Sequence, residues 1–219
     1  MKKKAVIFGT GTLAELVDFY LTCDSAYEVV AFCSENPDSD SFCDRPLVNF
    51  ETVESHFPPK HYEMFVAIGY RQMNSLRKNF CEQARAKGYK LLSYISSKAT
   101  FWNKNNAVGD NVFVFENNNI QPFVSIGDGV IMWSGNHIGH HSNIGSYSFL
   151  TSHVVISGFC NIGEQNFFGV NSTIVDGTIT GKKSLIAAGA LVTKKILDNQ
   201  VITAPKGIIL DKNSEYFLR

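Results

Sequence analysis

Four of the six histidines in this 219-residue chain lie close together in its second half. His140 and His141 are adjacent, and His137 and His153 flank them. Imidazole titrates near neutral pH, so it can take a proton from an attacking hydroxyl or amine, and it is also a common zinc ligand. The cluster therefore indicates either acid–base catalysis or a metal site, and the elements that carry these side chains bear on the choice.

The chain around these histidines has a six-residue period that runs from Val108 onward. Its large apolar positions are Val108, Val114, Ile120, Ile126, Met132, Ile138, Ile144, Leu150, Ile156, Ile162, Phe168 and Ile174. Small or medium residues mostly follow four positions later, and glycine often follows the apolar residue. This period is typical of the hexapeptide repeat of a left-handed parallel β-helix. We expect about four triangular coils and a shorter one, with the period shortened by one residue near Ile179 before Leu185 and Leu191.

Coil geometry brings distant residues together. Since three hexapeptides make one coil of about 18 residues, Gly158 should lie beside His140 along the helix axis. Cys160 falls at an inward position, which argues against a covalent intermediate on its thiol.

We expect residues 1–98 to form a separate unit, because their apolar residues do not follow the six-residue period. Residues 99–219 are expected to form the β-helix domain. Short apolar runs at 5–8, 29–32, 65–68 and 91–95 predict buried strands, and 12–21 and 71–87 predict helices. Strands that alternate with helices imply a mostly parallel sheet, so this unit is a Rossmann-like α/β half domain.

A GxGxxA pattern, Gly9 to Ala14, follows the first strand and begins the first helix. A glycine turn at a helix N-terminus favours phosphate binding, although a purely structural turn is the alternative. The unit is too short for a full dinucleotide fold. The residues expected to contact a phosphate-bearing ligand here are Gly9, Gly11, Thr12, Ser34, Glu35, Gly69 and Tyr70, with Tyr70 available to stack on a base.

Composition limits the other classes of function. The formal net charge is zero, which argues against a general nucleic-acid binder. No apolar run is long enough for a membrane helix. The five cysteines are odd in number, scattered and without a CxxC pair, which is typical of reduced thiols. We therefore expect a cytoplasmic protein.

Six segments carry a resemblance to a known family: Phe-Gly-Thr-Gly-Thr-Leu-Ala-Glu-Leu (8–16), Val-Ala-Ile-Gly-Tyr-Arg (66–71), Gly-His-His-Ser-Asn-Ile-Gly (139–145), Ile-Ser-Gly-Phe-Cys-Asn-Ile-Gly (156–163), Phe-Phe-Gly-Val-Asn-Ser-Thr-Ile (167–174) and Ala-Ala-Gly-Ala-Leu-Val-Thr-Lys (187–194). Together they resemble the sialic acid O-acetyltransferase and bacillosamine N-acetyltransferase group of hexapeptide-repeat sugar acetyltransferases. The resemblance covers essentially the whole chain. It implies a homotrimer with active sites between β-helices, an acetyl-CoA donor, no metal, and a nucleotide-linked sugar acceptor in surface polysaccharide, lipopolysaccharide or other glycan biosynthesis.

The resemblance also implies roles for individual residues. His140 aligns with the catalytic histidine, and Gly158 aligns with a backbone N–H that contacts the thioester carbonyl. The histidine that enters the family's site from the neighbouring chain aligns with Phe149, so His153 is a candidate replacement. The predicted catalytic residues are therefore His140, His141 and His153, and the predicted donor-binding residues are Gly158, Ala188, Gly189, Lys194 and Lys206.

One departure separates the chain from that group. His141 stands where the group has Asp or Glu, whose carboxylate would orient the base and increase its basicity. Glu116 and Asp128 are candidates to supply that charge from elsewhere in the coils. The departure also keeps a second hypothesis open, a non-catalytic nucleotide-sugar-binding or assembly subunit.

Two further alternatives are weaker. The spacing of the four clustered histidines does not match zinc carbonic anhydrases built on trimeric β-helices. A transferase that takes its acyl group from an acidic carrier protein should have a strongly basic surface, which the balanced charge does not favour.

Overall fold

The computed structural model describes residues 2–102 and 104–210. It contains an N-terminal α/β unit and a β-helix with three faces. The elements of the first unit are β1 (Lys3–Phe8), α1 (Thr12–Asp24), β2 (Tyr27–Ser34), β3 (Ser41–Phe42), β4 (Arg45–Asn49), a 3-10 turn (Phe50–Thr52), α2 (Val53–His56), β5 (Tyr62–Val66) and α3 (Ser75–Ala86). Their sheet has the order β3-β4-β2-β1-β5, and every pair is parallel except the hairpin β3–β4.

The predicted half domain is present, with two corrections. The helix predicted for residues 71–87 corresponds to α3. It begins at Ser75 rather than at residue 71, because residues 72–74 adopt left-handed backbone. The run at 91–95 is not a fourth strand of this sheet. Leu91 makes one bridge to Met64, whereas Tyr94 and Ile95 pair with the β-helix. The hairpin β3–β4 was not predicted, since its polar, short strands carry no strong apolar run.

The β-helix strands are two residues long and form three parallel sheets. The first, the domain face, packs against the α/β unit and contains β6 (Tyr94–Ile95), β9 (Phe113–Val114), β12 (Ile131–Met132), β15 (Phe149–Leu150), β18 (Phe167–Phe168), β21 (Leu185–Ile186) and β23 (Val201–Ile202). The second, the histidine face, contains β7 (Thr100–Phe101), β10 (Asn119–Ile120), β13 (His137–Ile138), β16 (Val155–Ile156), β19 (Thr173–Ile174) and β22 (Leu191–Val192). The third, the amide face, contains β8 (Ala107–Val108), β11 (Ser125–Ile126), β14 (Asn143–Ile144), β17 (Asn161–Ile162) and β20 (Ile179–Thr180).

The predicted inward positions form the core. The apolar residues from Val114 to Ile174 are buried and pack on one another from coil to coil. Two details differ from the prediction. The coils begin at Tyr94, well before the detectable period, so there are more of them than expected. The period also does not shorten near residue 179: Thr180, Ile186 and Val192 point inward, while Leu191 is 60% exposed. Thr180 substitutes for an apolar residue because Asn166 and Gly163 donate hydrogen bonds to its hydroxyl.

The faces meet at three corners, which we number for reference. Corner 1 joins the domain and histidine faces, corner 2 joins the histidine and amide faces, and corner 3 joins the amide and domain faces. The second residue of most corner turns has left-handed backbone, as at His141, with φ 57°, and His153, with φ 59°. Side chains at one corner stack along the helix axis, one per coil, so each corner is a column of adjacent side chains.

The α/β unit is joined to the β-helix by a buried cation. The Arg77 side chain is 0% exposed, and it donates hydrogen bonds to the carbonyl oxygens of Gly129 (2.8 Å), Gly69 (2.7 Å) and Tyr147 (2.7 Å). Burial lowers the pKa of its guanidinium to about 10. Because these carbonyls come from both units, Arg77 fixes the position of the α/β unit on the domain face.

A second connection comes from α1. The Asp24 carboxylate accepts hydrogen bonds from the Ser97 N–H and from the hydroxyls of Tyr94 and Ser96. The bonds from Ser97 and Tyr94 hold the pKa of Asp24 at about 2. The end of α1 is thus tied to the first coil.

Candidate active site

The predicted base lies on corner 2, directly after β13. Gln121, one coil earlier, accepts a hydrogen bond from the His140 backbone N–H at 2.9 Å. The His140 Nδ1 atom lies 3.1 Å from Nδ1 of His141. The Nε2 atom of His140 has no hydrogen-bond partner among residues 2–102 and 104–210. One ring nitrogen of His140 is therefore engaged and the other is available to a substrate.

His141 is held in place by stacking instead of by charge. Its ring lies between Phe123, with centroids 4.6 Å apart, and Phe159, with centroids 5.1 Å apart and an interplanar angle of 16°. These three residues occupy the left-handed position of corner 2 in successive coils. We call this set the aromatic ladder. Because its rings stack along the axis, the ladder fixes the plane of the His141 imidazole and hence the direction of its Nδ1 atom.

Gly158 lies where coil geometry predicts, one coil after His140. A Cβ atom on Gly158 would be 2.9 Å from Cε1 and 3.2 Å from Nε2 of His140, so only glycine leaves that space open. The Gly158 N–H donates to no acceptor within the described part of the chain, and Gly158 is buried. An N–H without a protein acceptor beside the base is a suitable donor to a developing oxyanion.

A carboxylate missed by the sequence reasoning lies on the other side of Gly158. Asp176 follows Gly158 by one coil, and its Oδ1 atom would be 2.9 Å from a Cβ on Gly158. Asp176 and the free edge of the His140 ring thus border the same small space. The coil period could have found this residue, since Asp176 lies two coils after His140.

The two carboxylates proposed from coil geometry are elsewhere. Glu116 is on corner 1, where it accepts hydrogen bonds from Tyr20 (2.7 Å) and Ser134 (2.6 Å). Asp128 is on corner 3 and is paired with Arg85 at 2.7 Å. Within one chain the two carboxylates therefore do not supply the charge missing beside His140, because each lies on a different corner of the β-helix.

The other two histidines of the cluster do not join His140 within the chain. His137 points outward from β13 on the histidine face. His153 is exposed on corner 1, where its ring covers Gly135 of the preceding coil. Phe149 is buried on the domain face beneath Tyr70, so it is distant from corner 2. The width of the histidine face therefore separates His140 from His153 in one chain.

Cys160 is adjacent to this site in sequence but points into the core. It is 1% exposed, and burial raises the pKa of its thiol. All five cysteines are free. The placement of Cys160 agrees with a mechanism that uses no acyl-enzyme.

A cavity of about 680 Å³ opens at the carboxyl ends of the strands of the α/β unit. It is lined by six of the seven predicted substrate-binding residues, namely Gly9, Gly11, Ser34, Glu35, Gly69 and Tyr70. Thr12, the seventh, is the first residue of α1 and lies between two lining residues. The residues predicted from the motif and its neighbours therefore line one cavity, and ligand binding there stays a prediction.

The two glycines of the motif differ in their surroundings. Gly9 has φ 122°, and a Cβ there would be 3.0 Å from the Ala67 carbonyl oxygen, so its role is explained by the fold. A Cβ on Gly11 would meet nothing within 4 Å. Gly11 also precedes α1, whose N-terminus has no side-chain cap. The open space and the uncapped N–H groups suit an anionic ligand.

Tyr70 lies between this cavity and the β-helix. It is 55% exposed, and its ring edge packs against Phe149 and Phe167 of the domain face. The ring is thus held at the cavity wall with much of its surface accessible, as a stacking residue requires.

The predicted donor-binding residues are spread over two corners. Ala188 and Gly189 are exposed on corner 1, one coil beyond Asn171 and two beyond His153. Lys194 is exposed on corner 2, one coil after Asp176. Lys206 is exposed beyond the last strand.

No group of three or more His, Cys, Asp or Glu side chains is arranged to hold a metal ion in the described ranges. None of the helices described here has the length and apolar character needed to cross a membrane.

Comparison with known proteins gives two results. No family model matches the chain, and no curated protein matches it in sequence. Solved structures do match. The acetyltransferase domain of PglB from Neisseria gonorrhoeae FA1090 superposes with a TM-score of 0.81 at 23% identity, covering 91% of this chain and 96% of that one. PerB from Caulobacter crescentus, in complex with CoA and GDP-perosamine, superposes with a TM-score of 0.81 at 24% identity, covering 92% and 97%.

A more distant match is WeeI from Acinetobacter baumannii AYE, with a TM-score of 0.58 at 15% identity. At these identities the likeness concerns the fold. It confirms the predicted architecture, a small α/β unit followed by a left-handed β-helix of hexapeptide repeats.

Proposed function

We propose that this protein is an acetyl-CoA-dependent acetyltransferase that acts on an amino or hydroxyl group of a nucleotide-linked sugar. The observation that supports this most is the arrangement on corner 2. There a histidine engaged at Nδ1 presents a free Nε2 beside a glycine whose N–H has no protein acceptor. The fold is also that of PerB, solved with CoA and GDP-perosamine, and of the PglB domain, solved with acetyl coenzyme A.

The arrangement supports direct attack. The acceptor nitrogen or oxygen adds to the thioester carbonyl carbon while His140 Nε2 takes its proton. The carbonyl π electrons move to oxygen, and the Gly158 N–H stabilises the negative charge there. When the intermediate collapses, the carbon–sulfur bond breaks and the sulfur leaves with the electron pair. The proton on His140 then goes to that sulfur, giving CoA thiol and the acetylated sugar.

His141 has a positioning role in this mechanism. Only one proton can occupy the space between the two Nδ1 atoms, which are 3.1 Å apart. When His140 carries it, His141 accepts the hydrogen bond, and the lone pair of His140 is on Nε2, where a base needs it. In the opposite arrangement the proton of His140 is on Nε2, and the residue cannot act as a base. The aromatic ladder keeps the acceptor nitrogen of His141 in position.

The cavity of the α/β unit is the proposed site for the sugar nucleotide. The uncapped start of α1 and the open space at Gly11 favour its diphosphate. Tyr70 is available for stacking on the base or sugar. Lys194 and Lys206 are proposed to meet phosphates of CoA, with Ala188 and Gly189 along its path.

We propose that the chain works as a homotrimer. The histidine face carries exposed apolar residues, with Val155 and Leu191 among them. If three copies turn this face toward a common axis, corner 2 of one copy meets corner 1 of the next. His153 of one chain would then approach His140 of its neighbour, which no single chain allows. Free cysteines suit a cytoplasmic location, and a nucleotide-sugar acceptor suits surface polysaccharide or lipopolysaccharide synthesis.

This arrangement predicts complementation between two defective variants. His140→Ala and His153→Ala should each be much less active as homotrimers. Mixed and reassembled trimers should regain activity, because some interfaces contain both intact histidines. A monomer on analytical ultracentrifugation, or no recovery in mixed trimers, would show that His153 does not serve a neighbouring site.

The competing function is binding without catalysis on the same fold. A thermal-shift screen of UDP-, GDP- and dTDP-linked 4-amino sugars, with and without CoA, identifies the acceptor because a ligand raises Tm by mass action. Incubation of that acceptor with acetyl-CoA should then yield an acetylated product in mass spectrometry. Stabilisation by the sugar nucleotide without any effect of CoA, and without product, would favour the binding protein.

A further inference from the structure

Two side chains, His140 and Asp176, border the space beside Gly158, so a substrate in that space would contact both. The Cε1 and Nε2 atoms of His140 and the Oδ1 atom of Asp176 all lie within 3.2 Å of the point that a Gly158 Cβ would occupy. A group that approaches His140 Nε2 from solvent therefore comes near the Asp176 carboxylate as well. The proposed mechanism uses His140 and Gly158 but gives Asp176 no role.

Asp176 is exposed and has no cationic partner in the described part of the chain. Lys194 follows it by one coil, but the two side chains do not form an ion pair. Gly177, the next residue, donates its N–H to the Gly158 carbonyl at 2.9 Å, so the backbone beneath the carboxylate is fixed. The carboxylate is thus anchored on the coil beside Gly158 and free to bind a ligand.

The chemistry of the two possible acceptors differs at this point. A sugar hydroxyl is neutral, whereas an aliphatic amine on a sugar is largely an ammonium ion at neutral pH. Hydrogen bonds to a charged donor are about twice as strong as neutral ones. A carboxylate opposite the base therefore favours an ammonium group, which can donate one N–H to Asp176 while another points to His140.

We propose that Asp176 binds the ammonium group of the acceptor and makes the enzyme selective for amino sugars over hydroxyl acceptors. The inference rests on the proposed function and names the acceptor within it. The ammonium ion first loses one proton to solvent through His140, which leaves a neutral amine held by Asp176. That amine attacks the thioester carbon and gives its second proton to His140, which passes it to the leaving sulfur. The products are the amide, CoA thiol and one released proton.

The test compares Asp176→Asn with Glu164→Gln. Asparagine keeps the shape and removes the charge, and Glu164 is an exposed acid on corner 3, so the control makes the same change in net charge away from His140. The probes are GDP-, UDP- and dTDP-linked 4-amino-4,6-dideoxyhexoses, each beside its 4-hydroxy counterpart. The wild type should prefer the amine. Asp176→Asn should lose roughly 10- to 100-fold in kcat/KM for the amine, with little change for the hydroxyl compound and in the Kd for CoA.

A binding measurement keeps the test independent of turnover. With CoA bound, titration calorimetry should show that Asp176→Asn weakens binding of the amino compound and leaves the affinity for the hydroxy compound unchanged. Equal effects on both compounds, or a wild type that prefers the hydroxy sugar, would overturn the role of Asp176 while leaving the acetyltransferase assignment intact. If no compound is acetylated by any variant, the proposed function fails, and the calorimetric comparison alone decides whether Asp176 recognises the amine.

Discussion

Replacing His141 by phenylalanine should slow acetyl transfer without weakening substrate binding. Phenylalanine can keep the stack between Phe123 and Phe159, but it removes the acceptor that lies 3.1 Å from His140 Nδ1. A neutral hydrogen bond has a net value of about 0.5–1.5 kcal/mol, which corresponds to roughly a 2- to 13-fold fall in kcat. KM should change little, because His141 acts through His140.

A second substitution at this position should change the pH dependence of kcat, which a purely structural role of His141 would leave unchanged. His141→Glu restores a carboxylate beside His140, and a nearby negative charge stabilises an imidazolium ion. The acid limb of the kcat profile should therefore lie at higher pH in His141→Glu than in His141→Phe. The other charged group near the His140 ring, Asp176, is the same in both variants.

The assay is the release of CoA thiol at saturating acetyl-CoA and sugar nucleotide across the pH range, together with Tm for each variant. Phe123→Leu is the matched control, since it removes one stacking partner but leaves the hydrogen bond. Phe123→Leu should lower kcat less than His141→Phe does. A His141→Phe enzyme with wild-type kcat and an unchanged pH profile would refute the positioning role.

Three other substitutions test separate parts of the structure. Gly158→Ala places a Cβ 2.9 Å from the His140 ring, so kcat should fall about 100-fold while the CoA complex still forms in calorimetry. Arg77→Met leaves carbonyl groups unpaired between the two units and should lower the free energy of urea unfolding by roughly 3 kcal/mol or more, with Arg77→Lys less affected. Asp24→Asn should be less stable than the wild type at neutral pH. The difference should vanish below about pH 2, because a lowered carboxyl pKa contributes stability above about pH 4 that is lost as the pH falls through the folded value.

The sequence predicted the parts of the fold that repeat. The inward positions of the hexapeptides are strongly apolar, so the core from Val114 to Ile174 could be identified residue by residue. The prediction failed where a polar residue is satisfied inside the core. Thr180 occupies an inward position because Asn166 and Gly163 bind its hydroxyl, and that pairing is not visible in a hydrophobic pattern.

The candidate site also contains some features that the sequence predicted and others that it did not. The coil period placed Gly158 beside His140, since this relation depends only on sequence separation. It did not predict the stacking of His141 between two phenylalanines, because that depends on left-handed backbone at successive corners. Glu116 and Asp128 lie 24 and 12 residues before His140, which are not multiples of the 18-residue coil, so the same period places them on other corners. Once the three faces are known, Asp176 is the carboxylate that shares a corner with His140.

The measurement that tests the central claim most directly is single-turnover acetyl transfer by the wild type and His140→Ala. The acceptor is the sugar nucleotide found by thermal shift, and His61→Ala, an exposed histidine of the α/β unit, serves as control. A general base contributes roughly 100- to 10,000-fold, so His140→Ala should lose at least that lower factor while His61→Ala keeps the wild-type rate. Equal rates of sugar acetylation in all three proteins would contradict the assignment of His140 as the base and of corner 2 as the active site.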